Sequence, residues 1–392
     1  MQAMSGRGSP GRKSETTPDA LFSAEQRQRI RRRLRSWYRR EGRDLPWRRT
    51  GDPYRIWVSE IMLQQTTVAA VVPFYERFFE ALPTLADLAE ADEATVLRLW
   101  EGLGYYSRAR NLRRAAIEVV DRFGGTLPRE LVDLQSLPGI GRYTAGAIRS
   151  FGFDLPAPIV EANTERLFSR LVAYDQPLTT AAGKRVLWQA AEELVPRTKP
   201  GEFNQAVMEL GSQVCRVRDP LCERCPLATD CRAFQTDRTS SIPVAKARPA
   251  ITEVTEVALA IFQGERVLMR RRAEGERWAG MWDFPRYEVA DISWLPAMSG
   301  NRQPVLPGIF SPLEALAAER FGLEVSIDQW LAELNHGVTR YRIRLLCLGG
   351  TLRQDFVGHE EWRWVVPSDV DGDPLTRTAR QLMNQLAADA AK

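Results

Sequence analysis

The sequence predicts an all-helical region followed by an α+β region, and three observations carry that division. Between Leu21 and about Ala233 apolar residues recur three and four apart, interrupted by Gly or Pro pairs, and no segment alternates as a strand does. Inside this region the stretch LPGIGRYTAGAI at 137–148 sets two glycines between helical segments, the form of a helix-hairpin-helix. Beyond a polar, proline-containing stretch at 236–250 the texture changes. Residues 254–262 and 266–269 are strand-like runs around Gln263 and Gly264, and 341–348 is a further β run before a terminal helix from about Leu375. The expected divisions are a disordered tail at 1–20, a helical domain at 21–235, a linker at 236–250 and an α+β domain at 251–392.

A chain of 392 residues is long enough for two cores. Its first 20 residues are polar and charged without periodicity, hence the expected disorder. They lack the apolar core of a secretory signal, and no run reaches the ~18 to 20 apolar residues of a membrane span. A cytoplasmic protein, nucleoid-associated in a bacterium and without a membrane partner, is therefore expected. The formal charge is only +4, but nine arginines crowd one stretch: Arg27, Arg29, Arg31, Arg32, Arg33, Arg35, Arg39, Arg40 and Arg43. Such a face suits phosphates, although a solvated helix face has the same composition.

In the hairpin, Pro128 suits a first helical turn and Leu131 and Leu134 share a face, so the first helix is expected to run to about Gln135. Gly139 and Gly141 leave the turn without bulk and able to take φ > 0. Their N–H groups, with those of the next helix's first turn, then face whatever approaches. A DNA phosphate is a fitting guest, since backbone donors hold it without reading sequence. An ordinary glycine-capped turn has the same residues.

Upstream, LPWR ending at Arg48 precedes a helix carrying SEIMLQQT at 59–66. Ile56, Ile61, Leu63 and Val68 give this segment an apolar face. Glu60 beside it would be partly desolvated, which favours the protonated form and an acid's role; a surface glutamate is the plainer alternative. Gln64 and Gln65 are amides able to hydrogen-bond bases or fill a vacated stack. The loop GLGYYS at 102–107 sets Tyr105 and Tyr106 beside Arg108, Arg110, Arg113 and Arg114. Exposed rings next to guanidiniums suit a nucleic-acid wedge, whereas core tyrosines are the competing reading.

Cys215, Cys222, Cys225 and Cys231 are spaced C-x6-C-x2-C-x5-C. Four thiolates in one compact loop are what a cubane iron–sulfur cluster requires, and disulfides are not expected in a cytosolic chain. Zinc is the rival, although its structural sites usually pair two C-x2-C knuckles and only one is present. Cys347 lies far away in a β run, as a small core residue does.

Taken together, the hairpin, the SEIMLQQT helix, the GLGYYS loop and the cysteine loop resemble the endonuclease III superfamily of base-excision glycosylases, most closely its adenine DNA glycosylase branch, the MutY type. The resemblance implies a helix-hairpin-helix glycosylase domain with a 4Fe-4S loop, then a Nudix-like lesion-recognition domain over 251–392. It implies Glu60 as the acid that protonates adenine, Gln65 as an amide inserted into the duplex, and Tyr105 as a wedge near the lesion. Leu103 of the same loop and Arg48 are further expected DNA contacts, together with Gly139 and Gly141 of the hairpin. Tyr143 would stabilise the sugar cation. Bifunctional relatives carry at this hairpin position a lysine that attacks the sugar. The five lysines here, at 13, 184, 199, 246 and 392, all lie away from the hairpin, so base removal without efficient strand cleavage is expected.

Two places depart from the family pattern. Where Asp-Gly-Asn is usual, this chain has Glu161, Ala162 and Asn163. The charge survives, but its reach changes by about 1 Å, and misplacement of that size costs roughly 10²-fold in a positioned site. In the second domain RWAGMWDFP at 277–285 and EWRWV at 361–365 resemble the branch's tryptophan-rich turn and late strand. The segment 314–323 keeps too few glutamates for a metal-dependent hydrolase. The lesion-reading loop usually carries Phe-Ser-His, and here Val338, Thr339 and Arg340 stand in its place; Arg340 still suits a guanine edge. The expected function is a monomeric, monofunctional glycosylase that acts on double-stranded DNA and excises adenine mispaired with 8-oxoguanine or guanine. A lesion-binding protein that lost turnover through Glu161, or an enzyme of altered specificity, is the alternative.

Overall fold

A computed structural model describes residues 20–245, 250–290, 292–295, 302–306, 308–354, 356 and 360–390. The tail expected at 1–20 lies outside them except for Ala20, as does the part of the expected linker at 246–249.

The first region is helical throughout, with no strand among its described residues. Its α-helices are Ala24–Glu41 (α1), Pro53–Leu63 (α2), Val68–Ala81 (α3), Leu85–Glu90 (α4), Glu93–Leu99 (α5), Ser107–Phe123 (α6), Leu131–Ser136 (α7) and Arg142–Ala147 (α8). Ala162–Val172 (α9), Ala181–Leu194 (α10), Pro200–Gln213 (α11) and Arg232–Gln235 (α12) follow. Local chemistry fixes many starts. Ser23 and Gln26 form a reciprocal capping box on α1, Asp52 caps α2 ahead of Pro53, and Thr180 caps α10. The first hairpin helix begins at Leu131, three residues later than Pro128 would allow, with Glu130 as its N-cap.

Two compact units emerge: the described residues of Met1–Arg43 with those of Arg149–Lys246, and those of Asp44–Ile148 with those of Ala247–Lys392. In the first, Ile30, Leu34 and Trp37 of α1 pack in one cluster with Leu167, Phe168 and Leu171 of α9 and residues of α10 and α11. Each buried aliphatic side chain contributes roughly 1.5–3 kcal/mol and a surface ion pair about 0–1, so the apolar stripe holds α1.

Most arginines of α1, expected to offer a phosphate face, are instead tied down within this unit. Arg29 and Arg33 pair with Asp230, Arg35 and Arg39 with Glu202, and, just beyond the helix, Arg43 with Glu209. Arg31 donates to the carbonyls of Glu193, Leu194 and Val195, and Arg27 to that of Phe22. The reason is electrostatic. Asp230 and Glu209 are buried carboxylates, and leaving such a charge unpaired costs several kcal/mol.

In the second unit α2 packs against α3 and α8, and α6 against α4 and α5. The α+β part of this unit has strands Thr252–Gln263 (β1), Arg266–Arg271 (β2), Trp282–Asp283 (β3), Arg286–Val289 (β4), Gln303–Pro304 (β5), Val325–Val338 (β6), Tyr341–Leu352 (β7) and Trp362–Val365 (β8). It adds helices Ser311–Phe321 (α13) and Arg377–Ala390 (α14). The sheet order is β3-β2-β1-β7-β6-β5, with β4 on β1 and β8 on β2. β1 and β7 run parallel and β6 and β7 antiparallel. Along β1, Val257, Leu259 and Ile261 face a core with Leu313 and Ala317 of α13, whereas Ala258 and Ala260 face Ala379, Leu382 and Met383 of α14. Period-two alternation with helices on both faces thus buries the strand twice. The Glu314 carboxylate accepts the Ile327 N–H at 2.8 Å and pairs with Arg353 at 2.7 Å. Arg380 forks onto Glu101 at 2.9 and 3.0 Å, tying α14 to the helical part of this unit.

Candidate active site

Helix α2 carries Glu60 into the interior of the second unit, where the side chain is only 4% exposed. The half-buried Tyr143, in the first turn of α8, donates its hydroxyl to Glu60 Oε2 at 2.6 Å. Glycine lets the hairpin turn pack closely on α6. Gly139 has φ +77, and a Cβ there would lie 2.9 Å from Asn111 Cβ. Gly141, expected to share the left-handed conformation, has instead φ −86 and ψ 179 as N-cap of α8. The plainer reading of Glu60 as a surface residue is excluded by its burial.

Arg108 lies buried beneath this site and is no phosphate ligand. It donates to the carbonyls of Ile61 at 2.7 Å, Met62 at 3.1 Å, and Leu103 and Gly104 at 3.1 Å. These include the unpaired carbonyls at the C-terminus of α2, so one guanidinium joins that end to the glycine loop. It braces two strained residues, Gln65 with φ +57 and Tyr105 with φ +49, both exposed and both in a region that non-glycine residues avoid. Tyr105 is 41% exposed. Its neighbours differ from expectation. Tyr106 and Leu103 are each 6% exposed and prop the loop from within, on a turn in which Gly102 and Gly104 take φ +102 and +72. Arg48 is half-buried at the end of a 3-10 turn, Pro46–Arg48, that seats Trp47 against Tyr75.

In the first unit, Glu161 is the N-cap of α9. Its Oε1 accepts the Thr164 N–H at 3.0 Å and its Oε2 the Asn163 N–H at 2.9 Å. Burial pushes its carboxyl above the usual glutamate range, although those backbone donors and Arg166 oppose the shift. Asn163 Nδ2 lies 3.4 Å from Glu161 Oε2, and Arg166 donates to Asn163 Oδ1 at 3.0 Å and to the carbonyls of Gly211 and Cys215 at 2.6 Å. Gly211 is required, since a Cβ there would sit 2.8 Å from the Asn163 carbonyl. A polar chain therefore runs from Glu161 to the first cysteine of the loop, a role for Arg166 that spacing alone did not signal.

Cys215, Cys222, Cys225 and Cys231 line one apolar cavity with Leu167, Leu171 and Leu227, and none is in a disulfide. Arg170 Nη1 lies 3.4 Å from Cys215 Sγ. Burial pushes Cys225 up to about 12, and Cys222 and Cys231 also upward, so thiolates here need an added positive charge. As they stand, the described residues hold no group of three or more metal-ligating side chains already closed into a site. Cys347 is buried in the sheet core.

At the β6–β7 turn, Thr339 has φ +54, and Thr339 and Arg340 are exposed. Tyr341 lies between two guanidiniums, Arg277 at 4.6 Å and Arg340 at 5.2 Å from its ring centre. Of the three residues expected in the lesion-reading loop, Val338 still belongs to β6.

Residues 58–193 match the family of HhH-GPD superfamily base excision DNA repair proteins, and 257–385 match the NUDIX domain. The mouse adenine DNA glycosylase is 45% identical over 233 residues, covering 57% of this chain and 45% of the mouse protein, so the match spans under half of that relative. The adenine DNA glycosylase of Buchnera aphidicola subsp. Baizongia pistaciae is 34% identical over 264 residues, 66% of this chain and 75% of that protein. The chain belongs to the adenine DNA glycosylase family. A solved thermostable thymine-DNA glycosylase is 29% identical with a TM-score of 0.50, covering 54% of this chain and 98% of that one. The family's helical and Nudix-like parts are thus both present. The unit that holds the hairpin has no lysine among its described residues.

Proposed function

We propose that this protein is a monofunctional adenine DNA glycosylase that acts as a monomer on double-stranded DNA, removing adenine mispaired with 8-oxoguanine or guanine. The observation that carries the proposal is the Tyr143 hydroxyl on the buried Glu60 carboxyl, at a hairpin position where a strand-cleaving enzyme needs an amine. Adenine leaves poorly as an anion, so Glu60 gives a proton to a ring nitrogen before the glycosidic bond breaks. Tyr143, its own proton directed to Glu60, keeps an electron-rich oxygen for the cation left on the sugar. Glu161 supplies the second carboxylate, with Asn163 steadying it. Gln65 and Tyr105, held in strained and exposed conformations, fill and wedge the stack that the adenine vacates. The hairpin glycines and Arg48 take phosphates, and Thr339 and Arg340 face the opposite base.

The donor set of Cys215, Cys222, Cys225 and Cys231 fits a 4Fe-4S cluster, four unbridged cysteines around one cavity. When bound, the cluster supplies the positive charge that buried thiolates lack and a rigid brace for the loop.

A second reading rests on one observation: Glu161 turns back to cap α9 with both oxygens. In that case the chain binds mispairs without turning over. Single-turnover assays on duplexes with adenine opposite 8-oxoguanine, guanine and cytosine decide between them. Base release that leaves an intact strand and little borohydride-trapped cross-link supports the enzyme. Tight binding without release supports the second reading, and efficient trapping overturns monofunctional chemistry.

A further inference from the structure

Helix α1 and the segment following α10 border an open groove of about 940 Å³. Its lining includes Arg31, Arg32, Arg35, Arg39, Arg40 and Arg197 and no acidic side chain. The carboxylate paired with members of this set is Glu202, which holds Arg35 and Arg39. Six guanidiniums against one carboxylate leave a formal +5 (6 − 1). Arg32 and Arg197 are exposed and make no ion pair or hydrogen bond among the described residues, and Arg40 donates to Ser36 of its own helix. The remaining arginines of α1 are anchored elsewhere in this unit, so the groove collects the α1 charge that those contacts leave unneutralised.

The pattern of the lining selects the occupant. At about 1.5 Å rise per residue, Arg32 and Arg39 stand roughly 10 Å apart on one helix face, a row of charges rather than a point site. No exposed aromatic or large aliphatic side chain lines the groove: Val195 is half-buried and Pro196 buried. A docked acidic peptide would need such an anchor, since buried aromatic and apolar groups carry most peptide and protein affinity. A phosphate backbone needs none, and arginines hold it without reading sequence. No residue of the 137–148 hairpin lines the groove.

We propose that this groove is a second, lesion-independent track for the phosphate backbone of duplex DNA, a proposal that rests on the reading that this chain works on DNA. The test uses the full chain carrying Arg32→Ala, Arg40→Ala and Arg197→Ala together, titrated with undamaged duplex at several salt concentrations. Three lost phosphate contacts should lower the slope of log affinity against log salt by about 2.7 (3 × 0.9) and weaken binding at least about tenfold near 0.1 M salt. Lysine at all three positions should restore most of the slope, and glutamine replaces alanine if the triple variant does not fold. Single-turnover base release at saturating enzyme should be unchanged. An unchanged slope on duplex DNA, or a loss seen only on heparin, overturns the proposal. If wild type releases no base yet the variant loses slope, the track stands and the catalytic assignment falls.

Discussion

Tyr143 and Glu60, 83 residues apart in the chain, meet at 2.6 Å, so the hairpin that would grip a phosphate also positions the acid that would act on the base. Removing either end tests the pairing. Glu60→Gln should retain DNA binding and lower the single-turnover rate by about 10²- to 10⁴-fold, the usual contribution of a positioned acid. Tyr143→Phe should lower it less, by roughly tenfold, with the same binding. A Glu60→Gln enzyme at full rate would remove Glu60 from the chemistry.

Glu161 offers a two-sided test. As the second carboxylate it leaves Glu161→Asp active and Glu161→Gln nearly inactive. If wild type is inert and Glu161→Asp gains turnover, the binding reading holds. Its carboxyl is also raised in the folded state, so the folded form prefers the proton more than the unfolded form does. Any stability from this group is present below the ordinary glutamate range and is lost as pH rises through the folded value. Thermal melts of Glu161→Gln relative to wild type should therefore shift in the variant's favour as pH rises above about 4.5. A shift in the opposite sense would show that the capping N–H groups outweigh burial.

Anaerobically purified protein should be brown and hold about four irons per chain. Cys225→Ser should lose most of the iron and destabilise the 215–231 loop, read as faster proteolysis there. A colourless protein with one zinc would assign the four cysteines to the other metal.

His336 supplies a pH test confined to the α+β part. Burial first, then Arg286 and Arg277, hold it down to about 4, and Nε2 faces Arg286 at 3.1 Å while the buried Nδ1 has no hydrogen-bond partner among the described residues. A depressed folded value means stability that is full above about pH 6.5 and lost as pH falls toward 4. Hydrogen exchange at β6 and β7 should rise over this window in wild type and less steeply in His336→Gln. Equal slopes would remove His336 as the source.

Much of this protein was legible in residue order because its signals are local. Glycines at a hairpin, four clustered cysteines, an apolar stripe beside Glu60 and a strand–turn–strand around Gly264 each depend on neighbours within a few positions, and backbone sterics and side-chain periodicity read the same way in any tertiary setting. Tertiary structure decided matters of depth and partnership. Tyr105 is exposed and Tyr106 buried although they are adjacent, because one backbone turn separates them. Arg108 became a strut for carbonyls and most arginines of α1 became anchors, because many of their partners lie 46 to 201 positions away and a guanidinium's role is set by what it meets. β6 was missed because a half-buried strand that mixes Asp328, Gln329 and Glu333 with apolar residues lacks clean alternation, and only pairing with β7 fixes it. Composition locates charge; folding decides which charges remain for a ligand.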